Sequence, residues 1–152
     1  MEIRRITKQE SELVTELFNK YRIFYKQDTD IKLAKKYIQS RLDNDDSIIF
    51  VAFIQNIPVG FTQLYPVYSS VHACKNWLLN DLYVDEDHRK KGIGQELIKT
   101  VMEFAKQNGA TTVELSTAID NYTAQSLYEN IGFIKQPADN DFFTYKISID
   151  KN

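Results

Sequence analysis

Residues 84–97 read Val84-Asp85-Glu86-Asp87-His88-Arg89-Lys90-Lys91-Gly92-Ile93-Gly94-Gln95-Glu96-Leu97. The run before them, Trp77 to Val84, is apolar and reads as a strand. After them Leu97, Ile98, Val101, Met102 and Ala105 recur at helical spacing. A strand therefore enters a basic loop with two glycines, and the loop opens a helix. The first N–H groups of a helix have no internal acceptor, and the positive end of the helix dipole lies there. Glycines let an anion approach that backbone closely. Arg89, Lys90 and Lys91 add positive charge, so the segment predicts a cradle for phosphate or pyrophosphate. It is not a Walker loop, because Gly94-Gln95-Glu96 lacks the Lys-Ser/Thr pair. Nor is it the dinucleotide fingerprint, because Leu97 stands where the third glycine belongs. The competing reading of a lone Gly-x-Gly is an ordinary strand-to-helix turn with a solvated basic edge.

Outward from the loop the elements follow closely. Downstream, Asn108-Gly109 ends the helix, and Thr111 to Thr117 reads as a strand. Strand, helix and strand make a βαβ unit with a right-handed crossover. A further helix carries Ala124, Leu127, Tyr128 and Ile131 and stops at Gly132; Phe133–Lys135 and Phe142–Ile149 read as the last strands. Upstream, Glu2–Ile6 is a short strand, and Thr7 and Glu10 stand at capping-box spacing. Leu13, Leu17, Tyr21 and Tyr25 mark one helix, which Asp28-Thr29-Asp30 breaks while offering caps for the next; Ile31, Ala34, Ile38 and Leu42 mark that second helix. Ser47–Ile54 and Val59–Tyr68 form a hairpin about Gln55-Asn56. Pro66 cannot donate to a central ladder, so Tyr65–Ser70 is expected to leave the sheet. No linker or repeat interrupts the order, and 1–152 reads as a single mixed α/β domain.

Composition narrows the function. Of 152 residues, 43% are apolar and 26% charged, which suits a folded soluble domain. Lys and Arg number 19 against 21 Asp and Glu, a net charge of −2, which argues against a general nucleic-acid binder. One cysteine and two histidines cannot build a Cys/His zinc cage or an internal disulfide, so no metal is expected. No run approaches the ~20 apolar residues of a membrane span, and no signal-peptide pattern opens the chain. A cytoplasmic protein without membrane partners is the expectation.

Arg89-x-x-Gly92-x-Gly94, entered from Asn80-Asp81-Leu82-Tyr83-Val84, resembles the acyl-CoA signature of the GNAT N-acetyltransferase superfamily. A second stretch, Asn121-x-x-Ala124-x-x-Leu127-Tyr128-x-x-x-Gly132-Phe133, resembles that family's fourth-helix motif. One helix and one strand separate the two, as in the family, and the resemblance covers nearly the whole chain. It implies a partly antiparallel central sheet of six to seven strands with helices on both faces. It implies an acetyl-CoA-dependent transfer of an acetyl group directly to a primary amine. The pyrophosphate would rest on the backbone of Arg89, Lys90, Lys91, Gly92, Ile93, Gly94 and Gln95. The pantetheine would run along Leu82, Tyr83 and Val84 and meet Asn121 and Ala124. Tyr128 would lie near the sulfur. Homodimers are a habit of the family, and Phe142-Phe143-Thr144-Tyr145 is a candidate for the interface, with ordinary core as the competing reading.

Direct transfer needs an acid and a base. Tyr128 can hydrogen-bond the leaving thiolate, although alone on its apolar stripe it would pass for a core tyrosine. Asp81 can take the amine's proton directly or through water, whereas Asn80 cannot; a strand-end carboxylate that caps a loop is the competing reading. Strand alternation does not settle where Asp81 points, because bulges reverse faces. Cys74 falls in an expected loop away from both motifs and is read as a packing or surface thiol, not a nucleophile. The helix–helix loop and the run into the central strand usually cover the acceptor in this fold. They carry Tyr21, Tyr25, Asp28, Asp30, Tyr65, Tyr68 and Trp77, of which Tyr25, Asp28, Trp77 and Asp81 are the candidate acceptor contacts. Aromatic faces and carboxylates suit a small cationic amine or polyamine. The alternatives are an acyl-CoA sensor without chemistry and a nucleotide-binding α/β domain.

Overall fold

The capping box at Thr7 and Glu10 forms: Glu10 Oε1 accepts the Thr7 N–H at 3.0 Å. It closes a single 3₁₀ turn that leads from β1 (Glu2–Arg5) into α1 (Glu12–Phe24). Asp30 caps α2 (Ile31–Asp43) by accepting from Leu33 N–H. The computed structural model describes residues 1–138 and 141–149. The chain falls into two compact units, residues 1–116 and 117–152.

The first unit holds one sheet in the order β1-β2-β3-β4-β5, with β2 (Ile48–Ile54), β3 (Ile57–Ser69), β4 (Cys74–Val84) and β5 (Val113–Glu114). The first four strands are antiparallel neighbours, and β5 joins β4 in parallel after the crossover helix α3 (Ile93–Gln107). Strand alternation sorts the two faces. Ile49, Val51, Phe53 and Phe61 join Val14, Leu17, Phe18, Ala34, Ile38 and Leu42 of α1 and α2 in one core. On the opposite face Phe50 and Trp77 pack on Phe104 of α3, with ring centroids 5.6 and 5.3 Å away. Gly60 belongs to that face: a Cβ there would stand 3.1 Å from the Tyr83 carbonyl and 3.4 Å from Ile93 Cγ2. A bare α-carbon lets the start of α3 sit directly on the sheet.

Several expectations change. Pro66 stays in β3 opposite Trp77. The pairing of β2 with β3 ends at Leu64, so beyond it one side of β3 is an open edge where proline removes no ladder bond. The strand expected over Thr111–Thr117 shrinks to Val113–Glu114. Cys74 opens β4 instead of lying in a loop.

In the second unit α4 (Tyr122–Ile131) is closed by Gly132 at φ +121°. The expected strand Phe133–Lys135 is absent, because the Phe133 N–H turns back to the Tyr128 carbonyl at 3.0 Å and finishes the helix. The segment over 142–149 also carries no strand, and Phe142, Phe143, Tyr145, Ile147 and Ile149 are exposed. Alternating apolar residues make a segment able to pair, but a strand exists only through a partner's ladder. Among the described residues the sheet thus has five strands, not the six to seven expected.

Candidate active site

β4 is the element from which the site is built. Its register against β3 steps from Asp81 at Gln63 to Leu79 at Leu64, so Asn80 is an extra residue in a bulge. The bulge reverses the alternation. Trp77 and Leu79 face α3, whereas Asp81 and Tyr83, opposite Gln63 and Phe61, face α1. Asp81 is 3% exposed. Gln63 Nε2 donates to its Oδ2, and Asn80 Nδ2 donates to its Oδ1 at 2.9 Å. Burial pushes the carboxyl up from its ordinary pKa, opposed by hydrogen bonds from Gln63, Tyr21 and Asn80. A buried carboxyl tuned upward is better matched to taking a proton near neutral pH.

Asp81 and Asn80 form part of the wall of a cavity of about 440 Å³ between the sheet, α1 and α2. Phe18, Tyr21 and Tyr25 of α1, Leu33 and Tyr37 of α2 and Tyr65 of β3 give it aromatic and apolar sides. Its size lies in the ~300–1,000 Å³ range of small-molecule sites. The Tyr37 and Tyr65 hydroxyls meet at 2.6 Å across it. Burial, and then that bond, hold the Tyr65 phenol above its usual pKa range, so it is a neutral wall. Tyr21 and Tyr25 lie 4.9 Å apart, tilted by 60°. Buried Asn19 pins the α1–α2 connection: its Nδ2 donates to Thr29 Oγ1 at 3.0 Å, and its Oδ1 accepts the Asp30 N–H at 2.9 Å.

At the other end of β4 the chain enters the glycine loop. The Asp85 N–H donates to the carbonyl of Val59, the extra residue of a second bulge, at 2.8 Å. Lys20 Nζ reaches Asp85 Oδ1 at 3.2 Å. Arg89 Nε donates to the Val84 carbonyl at 2.9 Å, and the guanidinium lies 5.4 Å from the Tyr83 ring centre. The Arg89 N–H points at the Glu86 carbonyl, 3.5 Å away. Arg89 therefore braces the loop against the strand. Lys90 (φ +64°) and Gly92 (φ +80°) turn the backbone through the left-handed region. The first intrahelical bond of α3 is Glu96 N–H to Gly92 C=O at 3.1 Å, so the N–H groups of Ile93, Gly94 and Gln95 precede the ladder. A Cβ on Gly92 would touch nothing within 4 Å, so the space above this helix start is open. Donors, positive charge and open space fit a pyrophosphate.

Between these ends, β5 pairs with β4 only at Trp77–Val113 and Leu78–Glu114. β5 ends at Glu114, opposite Leu78, which leaves Leu82, Tyr83 and Val84 on β4 outside that ladder. An extended amide-bearing arm can pair there as a strand would.

The predicted residues thus divide. Asp81 and Tyr25 come together on the cavity. Asp28 is exposed in the α1–α2 connection and is not part of the cavity wall. Trp77, expected as an acceptor contact, is 5% exposed on the α3 face: its position before the bulge gives it the opposite side of the sheet. Asn121 Oδ1 is used as the cap of α4, accepting from Ala124 N–H at 3.1 Å, so only its Nδ2 side is left to meet a ligand. Half-buried Tyr128 packs on Phe133, with ring centres 6.0 Å apart. Gln63, Asn19, Gly60 and Tyr37 were missed. They sit inside regular elements, where sequence alone offers only a polar or small residue among apolar ones. No group of three or more His, Cys, Asp or Glu able to hold a metal occurs among the described residues, and no helix among them is long and apolar enough to cross a membrane.

A mixed sheet whose parallel pairing is short and lies before an open helix start has the architecture of an N-acetyltransferase. The chain belongs to the acetyltransferase (GNAT) family, whose model matches residues 12–133. It is 40% identical over 133 residues to YhfO, an uncharacterized N-acetyltransferase of Bacillus subtilis (strain 168), covering 88% of this chain and 89% of that one. A crystal structure of a probable acetyltransferase superposes with a TM-score of 0.88, 33% identity and full coverage of both chains. The fold is also that of aminoglycoside N-acetyltransferase AAC(6')-Iy in complex with CoA, with a TM-score of 0.77 and 19% identity over 95% of this chain and 93% of that one. Several other curated relatives are longer, and the chain spans less than two thirds of their length. The family's acetyl donor is acetyl-CoA.

Proposed function

We propose that the chain moves an acetyl group from acetyl-CoA directly onto a primary amine held in the aromatic cavity, with Asp81 as the base. The observation that carries this reading is the Asn80 bulge, which turns a nearly fully buried carboxylate onto the cavity wall. An alkylamine of pKa ~10.4 is only about one part in 2,500 neutral at pH 7, a cost of roughly 4.6 kcal/mol. Asp81 takes that proton directly or through a water, and its charge first attracts the ammonium. The amine nitrogen then forms a bond to the acetyl carbon as the C–S bond breaks. Tyr128 is the proposed donor to the departing thiolate, a role carried by the family motif around it. The N–H groups of Ile93, Gly94 and Gln95, with Lys90 and Lys91, are proposed to hold the pyrophosphate. Leu82 to Val84, with Asn121 and Ala124, are proposed to hold the pantetheine. The whole chain acts as one acetyltransferase domain, and as a homodimer whose mass light scattering would give.

The test is thiol release from acetyl-CoA against amines of several classes, with product masses. Amine-dependent release and an acetylated product are expected. Tight CoA binding with no transfer to any amine would overturn the reading in favour of an acyl-CoA sensor.

A further inference from the structure

Arg22 is the cavity feature that the proposed chemistry leaves without a task. It projects from α1 into the same wall that holds Tyr21, Tyr25 and Asp81. Its Nη1 is buried and meets no hydrogen-bond partner, and Arg22 forms no ion pair with a carboxylate among the described residues. Arg22 is half-buried and lines the cavity, so an anionic oxygen held there would answer its charge. Asp81 is turned instead to Gln63 and Asn80. The cavity wall therefore presents a carboxylate on β4 and a guanidinium on α1, with tyrosine rings around them.

We infer that the acceptor is a small zwitterionic amine, whose amine faces Asp81 and whose carboxylate is held by Arg22. This rests on the acetyl-transfer reading above and narrows its substrate class. The planar guanidinium presents two parallel N–H groups that match a carboxylate, and it cannot lose its charge. The tyrosine faces suit the hydrocarbon between the two charged ends. A polyamine fits worse: its second ammonium would stand near Arg22, and like charges in a partly desolvated site repel. The expected preference for a cationic amine thus becomes a preference for an amine that also carries an acid.

The experiment uses the full chain, acetyl-CoA and matched acceptors that differ only by a carboxylate: lysine with cadaverine, ornithine with putrescine. The carboxylated member of each pair is expected to have the higher kcat/KM, by about 10- to 100-fold, the scale of a charge-assisted pair. Arg22→Gln is expected to bring that ratio to within about threefold, mainly through KM, and Arg22→Lys to restore part of it. Transfer to both members at equal efficiency, or a ratio unmoved by Arg22→Gln, overturns the inference while the acetyl-transfer reading stands. No transfer to any of the four, with CoA binding intact by calorimetry, overturns the inference, and the acetyl-transfer reading falls with it only if amines of the other classes are inert too.

Discussion

Replacing Asp81 with asparagine separates the carboxylate's chemistry from its place in the fold. Asp81 is 3% exposed, and burial raises its pKa. A carboxyl whose folded pKa lies above its unfolded value is penalised as pH rises from ~3.9 through the folded value, and the full penalty applies above that. At pH 7 the fold therefore carries a cost that a neutral amide removes. The hydrogen bonds need not be lost. Gln63 Nε2 donates to Asp81 Oδ2, while Gln63 Oε1 is buried without a partner. With an amide at position 81, Gln63 can turn over, and its orphaned oxygen can accept from the new NH₂. Asp81→Asn should thus match or exceed the parent's stability at pH 7, by on the order of 1 kcal/mol, which at this size is a rise in Tm of a few degrees. Activity should move the other way, with kcat/KM falling by about 10²- to 10⁴-fold as general-base help disappears. The parent's rate should fall on the acid side as Asp81 protonates. The variant's should climb about tenfold per pH unit toward the amine's own pKa near ~10.4, because only the neutral amine reacts. Thiol release across pH 6–10 and a thermal melt measure both halves. A variant within about fivefold of the parent at pH 7 would refute the base role. A lowered Tm would refute the account of Gln63.

Three further substitutions probe other parts of the site. Gly92→Val forces a β-branched residue to φ +80°, and should raise KM for acetyl-CoA by about tenfold or more, with CoA affinity read by calorimetry. Gly60→Val places a side chain 3.1 Å from the Tyr83 carbonyl and against Ile93, and should cost about 1–3 kcal/mol in a denaturant titration. Tyr128→Phe should lower kcat by about 10²-fold at unchanged KM; unaltered turnover would remove its proposed role as the acid.

The parts of this molecule that could be read from sequence are those that local physics decides. The capping box at Thr7, the Asp30 cap, the two-residue turn at Gln55-Asn56 and the glycine loop each need particular residue types within a few positions. The structure contains all four. Pro66 was misjudged because its cost depends on whether a neighbouring strand is present on one side, and that is a property of the sheet. Trp77 and Asp81 share an odd-numbered parity, so plain alternation puts them on one face; the Asn80 bulge divides them. Nothing about Asn80 announces a bulge, since the extra residue is chosen by how β3 and β4 register over their length. Arg22 and Gln63 were illegible for a related reason: a half-buried arginine and a glutamine within a strand acquire meaning only from the groups that fail to pair with them.

The two bulges share one consequence. Without the extra residue at Asn80, Asp81 would face α3 and sit among Trp77 and Phe104, where no small molecule could reach it. The second bulge, at Val59, gives the Asp85 N–H its acceptor, and so fixes the point where β4 leaves the sheet for the glycine loop. β4 is thereby fixed beside Asp81 and at its C-terminal end. The carboxylate lies on one face of the strand, the proposed pantetheine edge follows from Leu82 to Val84, and the proposed phosphate donors come after the turn. A strand rises ~3.3 Å per residue, so from Asp81 to Val84 the reacting end and the loop are separated by about 10 Å of rigid backbone. Direct transfer between two bound molecules depends on such fixed spacing, since misplacement of a reacting group by about 1 Å can cost on the order of 10²-fold. In the proposed mechanism the bulges set which way β4 faces and where it ends.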